Sequence, residues 1–117
     1  MEFTLKARIA PPGQHRVILT GVEETTGQFG GPAFRWVFTV QEGPHAGTEL
    51  IKVTGTEPRL GTSLGDLLGQ LYCRELRQGE TLDPIADLLG KLFVAFAIPG
   101  SHSNGAVIQT IRPASAL

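Results

Sequence analysis

Gly61-Thr62-Ser63-Leu64-Gly65 matches the G-x-S-x-G pattern of a nucleophilic serine, and Asp83 or Asp87 followed by His102 completes the order Ser, Asp, His. That chemistry needs a strand running straight into the serine, with a large, mainly parallel sheet behind it. Here Glu57-Pro58-Arg59 precede the serine and a leucine-rich helical pattern follows it, so helix capping explains Ser63 without catalysis. His15, His45, His102 and Cys73 are scattered, without the paired spacing of zinc ligands. Gly30-Gly31 and the other glycine pairs lack the lysine of a phosphate loop. No enzyme, metal or cofactor is expected from these residues. Binding remains.

Ten Lys/Arg stand against eleven Asp/Glu, a formal charge of −1, so a nucleic-acid binder of this composition must gather its cations on one face. Which cations meet depends on the elements that carry them. Phe3, Leu5, Ala7 and Ile9 alternate with polar residues and read as an optional extra strand, stopped by Pro11-Pro12-Gly13. His15 to Val22 is a strand with apolar residues on both faces, as suits a long, bent strand serving two parts of a closed sheet. Residues 23–32 read as a polar, glycine-rich loop carrying Phe29. In the strand from Ala33 to Gln41, Phe34, Trp36, Phe38 and Val40 share the core face, and Arg35, Val37 and Thr39 the other.

After a turn at 42–47, Thr48 to Thr54 returns as a strand, with Ile51 and Val53 expected inward and Leu50, Lys52 and Thr54 outward. Leu60, Leu64, Leu67, Leu68 and Leu71 have the spacing of an amphipathic helix, with a Ser63/Asp66 capping box at its start and Gly79 after its end. Cys73 falls within that helix as a small, partly buried apolar group. Asp83-Pro84 opens a short second helix over 84–89, stopped by Gly90. Lys91 to Ile98 is a nearly all-apolar buried strand, and Ala106 to Arg112 is the last, after a loop at 99–105.

With 117 residues, one cysteine and no apolar run of roughly 20 residues, the chain is one domain without disulfides or a membrane helix. The N-terminus carries no signal-peptide pattern, so a cytoplasmic protein is expected. Five strands with a helical insert between the third and fourth give an all-β fold class: an OB-fold, a five-stranded Greek-key barrel. An immunoglobulin-like sandwich has no place for the helices, and a ferredoxin-like fold needs a helix where residues 23–32 form a glycine loop.

OB-folds bind single strands across their second and third strands, between the first and last hairpin loops, with cations on phosphates and flat groups under bases. That geometry selects Arg35 and Lys52 on the outward face, Arg16 and Arg112 on the first and last strands, Phe29 in the first loop, and His102 and Asn104 in the last. Trp36 is assigned to the core.

The layout PPG-x-HRVILTGVEE, AFRWVFTVQEGPHAGTEL, LxxLLGQLYCRELRQGE and LLGKLFVAFAI resembles a family of small phage and prophage proteins, over roughly residues 12–112. The matching features are the hairpin from Phe38 to Gly47, Gly79-Glu80, and Leu88 to Lys91. The resemblance implies an OB-like single-stranded DNA-binding protein of replication and recombination. Residues 113–117 are uncharged, unlike the acidic tail of bacterial single-strand-binding proteins, so recruitment of repair enzymes through such a tail is not expected. The residues also allow a second reading. It is an OB-like interaction module, or a structural subunit of a phage or mobile-element assembly, forming a homo-oligomer through residues 2–9.

Overall fold

The computed structural model describes residues 1–5, 8–27, 29–100 and 106–116. Five strands form one closed, mixed sheet: β1 (Gly13–Thr26), β2 (Pro32–Val40), β3 (Glu49–Thr54), β4 (Leu92–Pro99) and β5 (Ala106–Pro113). Their order is β1-β2-β3-β5-β4, and β4 pairs back onto β1. Helices α1 (Ser63–Tyr72) and α2 (Pro84–Leu88) lie between β3 and β4 in the chain. Among the described residues no helix is long and apolar enough to cross a membrane.

The length of β1 lets the sheet close. Its first half pairs with β4 and its second with β2, as its two apolar faces suggest. A bulge between Leu19 and Gly21 inserts Thr20, which inverts the side-chain alternation. Val17 and Leu19 point into the core before the bulge, and Val22 packs against the core after it. The expected loop over 23–32 is shorter than read. Glu23 to Thr26 pair with Arg35 to Pro32, extending the hairpin into solvent, where polar side chains cost nothing on either face. The connection shrinks to the residues around Gly30, whose φ of 83° glycine adopts without strain.

The outward set expected of β3 is corrected by the register. Phe38 lies opposite Leu50 and Trp36 opposite Lys52, and directly opposed residues of an antiparallel pair share a face. Leu50 and Thr54 are therefore buried, and Val53 is half exposed. Apolar residues occupy both parities of this strand, so alternation alone cannot orient it. Thr54 tolerates burial because its hydroxyl accepts a hydrogen bond from the Trp36 indole at 3.0 Å and donates one to the Gly55 carbonyl at 3.0 Å.

Helix α1 buries Leu64, Leu67, Leu68 and Leu71 of the expected apolar stripe, whereas Leu60 precedes the helix and is exposed. Its cap is Thr62, one residue before the expected Ser63: Thr62 Oγ1 accepts from the Gly65 amide at 3.1 Å. The helix ends at Tyr72, well short of Gly79, because Cys73 takes a left-handed conformation at φ 54°. Cys73 is exposed, not partly buried. Beyond it the chain is held by the Arg74–Glu80 ion pair and by Glu80 accepting from the Arg77 amide. Asp83 caps α2 with Pro84 at its first turn, as expected.

Only one bridge, Ile51–Val107, joins the parallel pair β3 and β5. Helix α1 packs along this seam, where Gln70 Oε1 accepts from the Ile111 amide at 2.9 Å. The expected extra strand at residues 2–9, of which 6 and 7 lie outside the described residues, is absent among the described ones. Ile9 makes one isolated bridge to Glu49, and Phe3 and Leu5 lie in solvent. Alternation there has no neighbouring strand to answer it.

Candidate nucleic-acid interface

The expected row of cations on β2 and β3 does not form. Arg35 lies opposite Val53 and Lys52 opposite Trp36, so the two side chains leave opposite faces of the sheet. Arg35 also donates to Glu23 Oε2 at 3.2 Å, which neutralises the outward charge. Lys52 is half-buried on the side of Leu50 and Thr54. Trp36, assigned to the core, is 3% exposed and offers no face for stacking.

Two other expected cations are brought together. Arg16 on β1 is opposite Val94 on β4, and Val94 is opposite Arg112 on β5. All three point outward, so the guanidinium groups rise from either side of one valine, with their strands about 10 Å apart. Two residues along β4, Phe96 lies between Gln14 and Thr110 on the same outward face and is 45% exposed. A bulge between Phe96 and Ala97 sets Gln109 aside and keeps Thr110 and Arg112 outward with Phe96. A shallow cavity of about 350 Å³ lies here, lined by Gln14, Val94, Phe96, Thr110, Ile111 and Arg112.

The electrostatics of this wall differ from those around Arg35. No carboxylate occurs in 13–18, 92–99 or 106–113. Arg16 meets Glu42 only at 3.7 Å, with nearly half of its side chain open to solvent. Arg112 is exposed and makes no ion pair among the described residues. Guanidinium groups bind phosphate oxygens through a fixed fork of donors, and an aromatic face takes any base. Gln14 and Thr110 add an amide and a hydroxyl beside the ring.

Phe29 stands 95% exposed near the tip of the β1–β2 hairpin, as expected of a loop aromatic. His102 and Asn104 lie outside the described residues. Phe96 escaped the sequence reading because 91–98 is apolar almost throughout. The signal was its parity: Phe93, Ala95 and Ala97 alternate inward, which sends Phe96 out.

The serine motif has a packing explanation. Ser63 Oγ accepts from the Gly55 amide at 3.1 Å, Thr62 caps the helix, and a Cβ on Gly65 would overlap the Arg59 carbonyl. Gly65 is thus the residue that lets α1 start tight against the preceding loop. His15 donates through Nε2 to the Pro11 carbonyl at 2.7 Å and packs edge-on against His45. Among the described residues no cluster of three or more His, Cys, Asp or Glu side chains is arranged to hold a metal. Comparison of the sequence with protein-family models and with curated proteins found no match.

Proposed function

We propose that this protein is a non-enzymatic, OB-type single-stranded DNA-binding protein with weak sequence preference, serving DNA replication or recombination. Five strands closed in the order β1-β2-β3-β5-β4, with a helix between β3 and β4, support the OB reading. The observation that carries the function is the pairing of Arg16 and Arg112 about Val94, beside the half-exposed ring of Phe96, on strand segments that contain no carboxylate of their own, with Glu42 at 3.7 Å from Arg16. The strand then tracks β1, β4 and β5, whereas OB-folds more often use β2 and β3. Two guanidinium groups on phosphates and one base on Phe96 read no base edge, hence the weak preference.

A titration of fluorescent oligo-dT, double-stranded DNA and oligo-U over a range of salt tests this. Each phosphate neutralised contributes about −0.7 to the slope of log affinity against log salt for a single strand, so the arginine pair accounts for about −1.4. R16A/R112A should remove that share. Failure of the wild-type protein to bind oligo-dT at low salt and micromolar concentration would end the proposal.

A further inference from the structure

Residues 1–5 form an apolar arm without a seat. Phe3 and Leu5, 81% and 93% exposed, have the spacing that places both on one side of an extended chain. The arm is rooted firmly: Ala10 is fully buried, its amide donates to the Glu49 carbonyl at 2.8 Å, and the Glu49 amide donates to the Arg8 carbonyl at 2.7 Å. These bonds run Ile9 parallel to β3 at the first residue of that strand. Beyond the root, the arm's own copy offers no further β3 edge, because residues 41–48 are the turn between β2 and β3.

Two residues from that root begins the apolar outer face of the β3–β5 seam. Ile51 is opposite Val107, Val107 is opposite Ile98, and Val53 continues the row along β3. Val53 and Val107 are 50% and 40% exposed, and the single β3–β5 bridge makes this the least tightly joined part of the closed sheet. The arm and this face match in kind and in spacing: two apolar side chains two residues apart meet two on β3, also two residues apart.

We propose that the occupant of this face is the arm of a second copy of the chain, exchanged reciprocally about a two-fold axis. Phe3 and Leu5 of each copy cover Ile51, Val53 and Val107 of the other. Reciprocity doubles the contact, two arms on two faces, which brings a small apolar set toward the roughly 1,200 Å² at which specific dimers begin. The self-complementary patch that a two-fold interface requires is present, since root and face adjoin on every copy.

Light scattering coupled to size exclusion, over a range of concentrations, tests the exchange on the full chain. A dimer is expected for wild type and a monomer for both F3S/L5S and V53E/V107E. All four substitutions are at solvent-exposed positions, so the far-UV spectrum and the unfolding midpoint should match wild type, and only the mass should change. A monomeric wild type, or a dimer that survives F3S/L5S, overturns the proposal. Because Arg16, Arg112 and Phe96 are untouched, the salt slope for oligo-dT is read on the same variants and tests the DNA-binding proposal separately.

Discussion

Thr54→Val isolates the buried polar contact that fixes β3 against β2. The side chains are nearly the same shape, and Thr54 is 2% exposed, so the substitution creates almost no cavity. What changes is hydrogen bonding. The Trp36 indole N–H, with its residue 3% exposed, loses the hydroxyl that accepts from it at 3.0 Å. The Gly55 carbonyl loses a donor too, but Gly55 is exposed and water replaces it. The net cost is the unpaired indole, about 1–3 kcal/mol. With an unfolding entropy of about 0.25 kcal/mol/K for a chain of this length, the midpoint should fall by about 4–12 °C.

A double-mutant cycle separates this cost from packing. In a Trp36→Phe background no indole remains to be stranded, so Thr54→Val should be close to neutral there or slightly stabilising. Far-UV circular dichroism follows all four proteins, since Trp36 is the sole tryptophan and fluorescence disappears with it. An equal loss from Thr54→Val in both backgrounds would refute the reasoning and detach the inward orientation of Thr54 from the indole.

Arg112→Ala should flatten the oligo-dT salt slope by about 0.7, while Arg35→Ala, whose guanidinium already faces Glu23, should leave it unchanged. Phe96→Ala should cost about 1–3 kcal/mol of binding in the same titration with the unfolding midpoint preserved. Gly65→Ala should destabilise by about 1–3 kcal/mol in a urea titration, because the new methyl meets the Arg59 carbonyl, and Ser63→Ala should cost less. The Arg74 guanidinium, and then the Arg77 amide, hold the Glu80 carboxyl down at about 2. A carboxyl depressed on folding stabilises above its unfolded value and loses that stabilisation as pH falls through its folded one. Exchange protection of the Arg77 amide should therefore be full above about pH 4.5 and lost toward pH 2, and Glu80→Gln, whose amide oxygen still accepts but does not titrate, should make it independent of pH.

How far the sequence could be read varied from strand to strand for physical reasons. Phe34, Trp36, Phe38 and Val40 could be oriented because Arg35 and Thr39 mark the opposite face. In β3, Leu50, Ile51 and Val53 occupy both parities, and the buried polar residue is Thr54, so its direction followed from pairing with β2. The leucines of α1 announced a helix, but its end at Cys73 carries no glycine or asparagine to mark a left-handed residue. The candidate site was legible only in part. Arg16 and Arg112 could be named from their strands, yet their meeting depends on β4 lying between β1 and β5 and on the register at Val94.

The two ends of β5 explain how one small sheet can carry two surfaces. Near Val107 it meets β3 through a single bridge, and farther along the Gln70 side chain of α1 accepts from the Ile111 amide. Toward Arg112 it pairs with β4 alone, without interruption from Thr110 to Pro113, and β4 pairs in turn with β1, so the two guanidinium groups flank a β4 backbone held from both sides. The sheet would set the spacing of the two cations before a phosphate arrived, while each exposed guanidinium would still have to be ordered on binding. The seam end, with its exposed valines, suits covering by another chain. Val107 and Arg112 are five residues apart on one strand, roughly 17 Å, so a chain seated at one end leaves the other open.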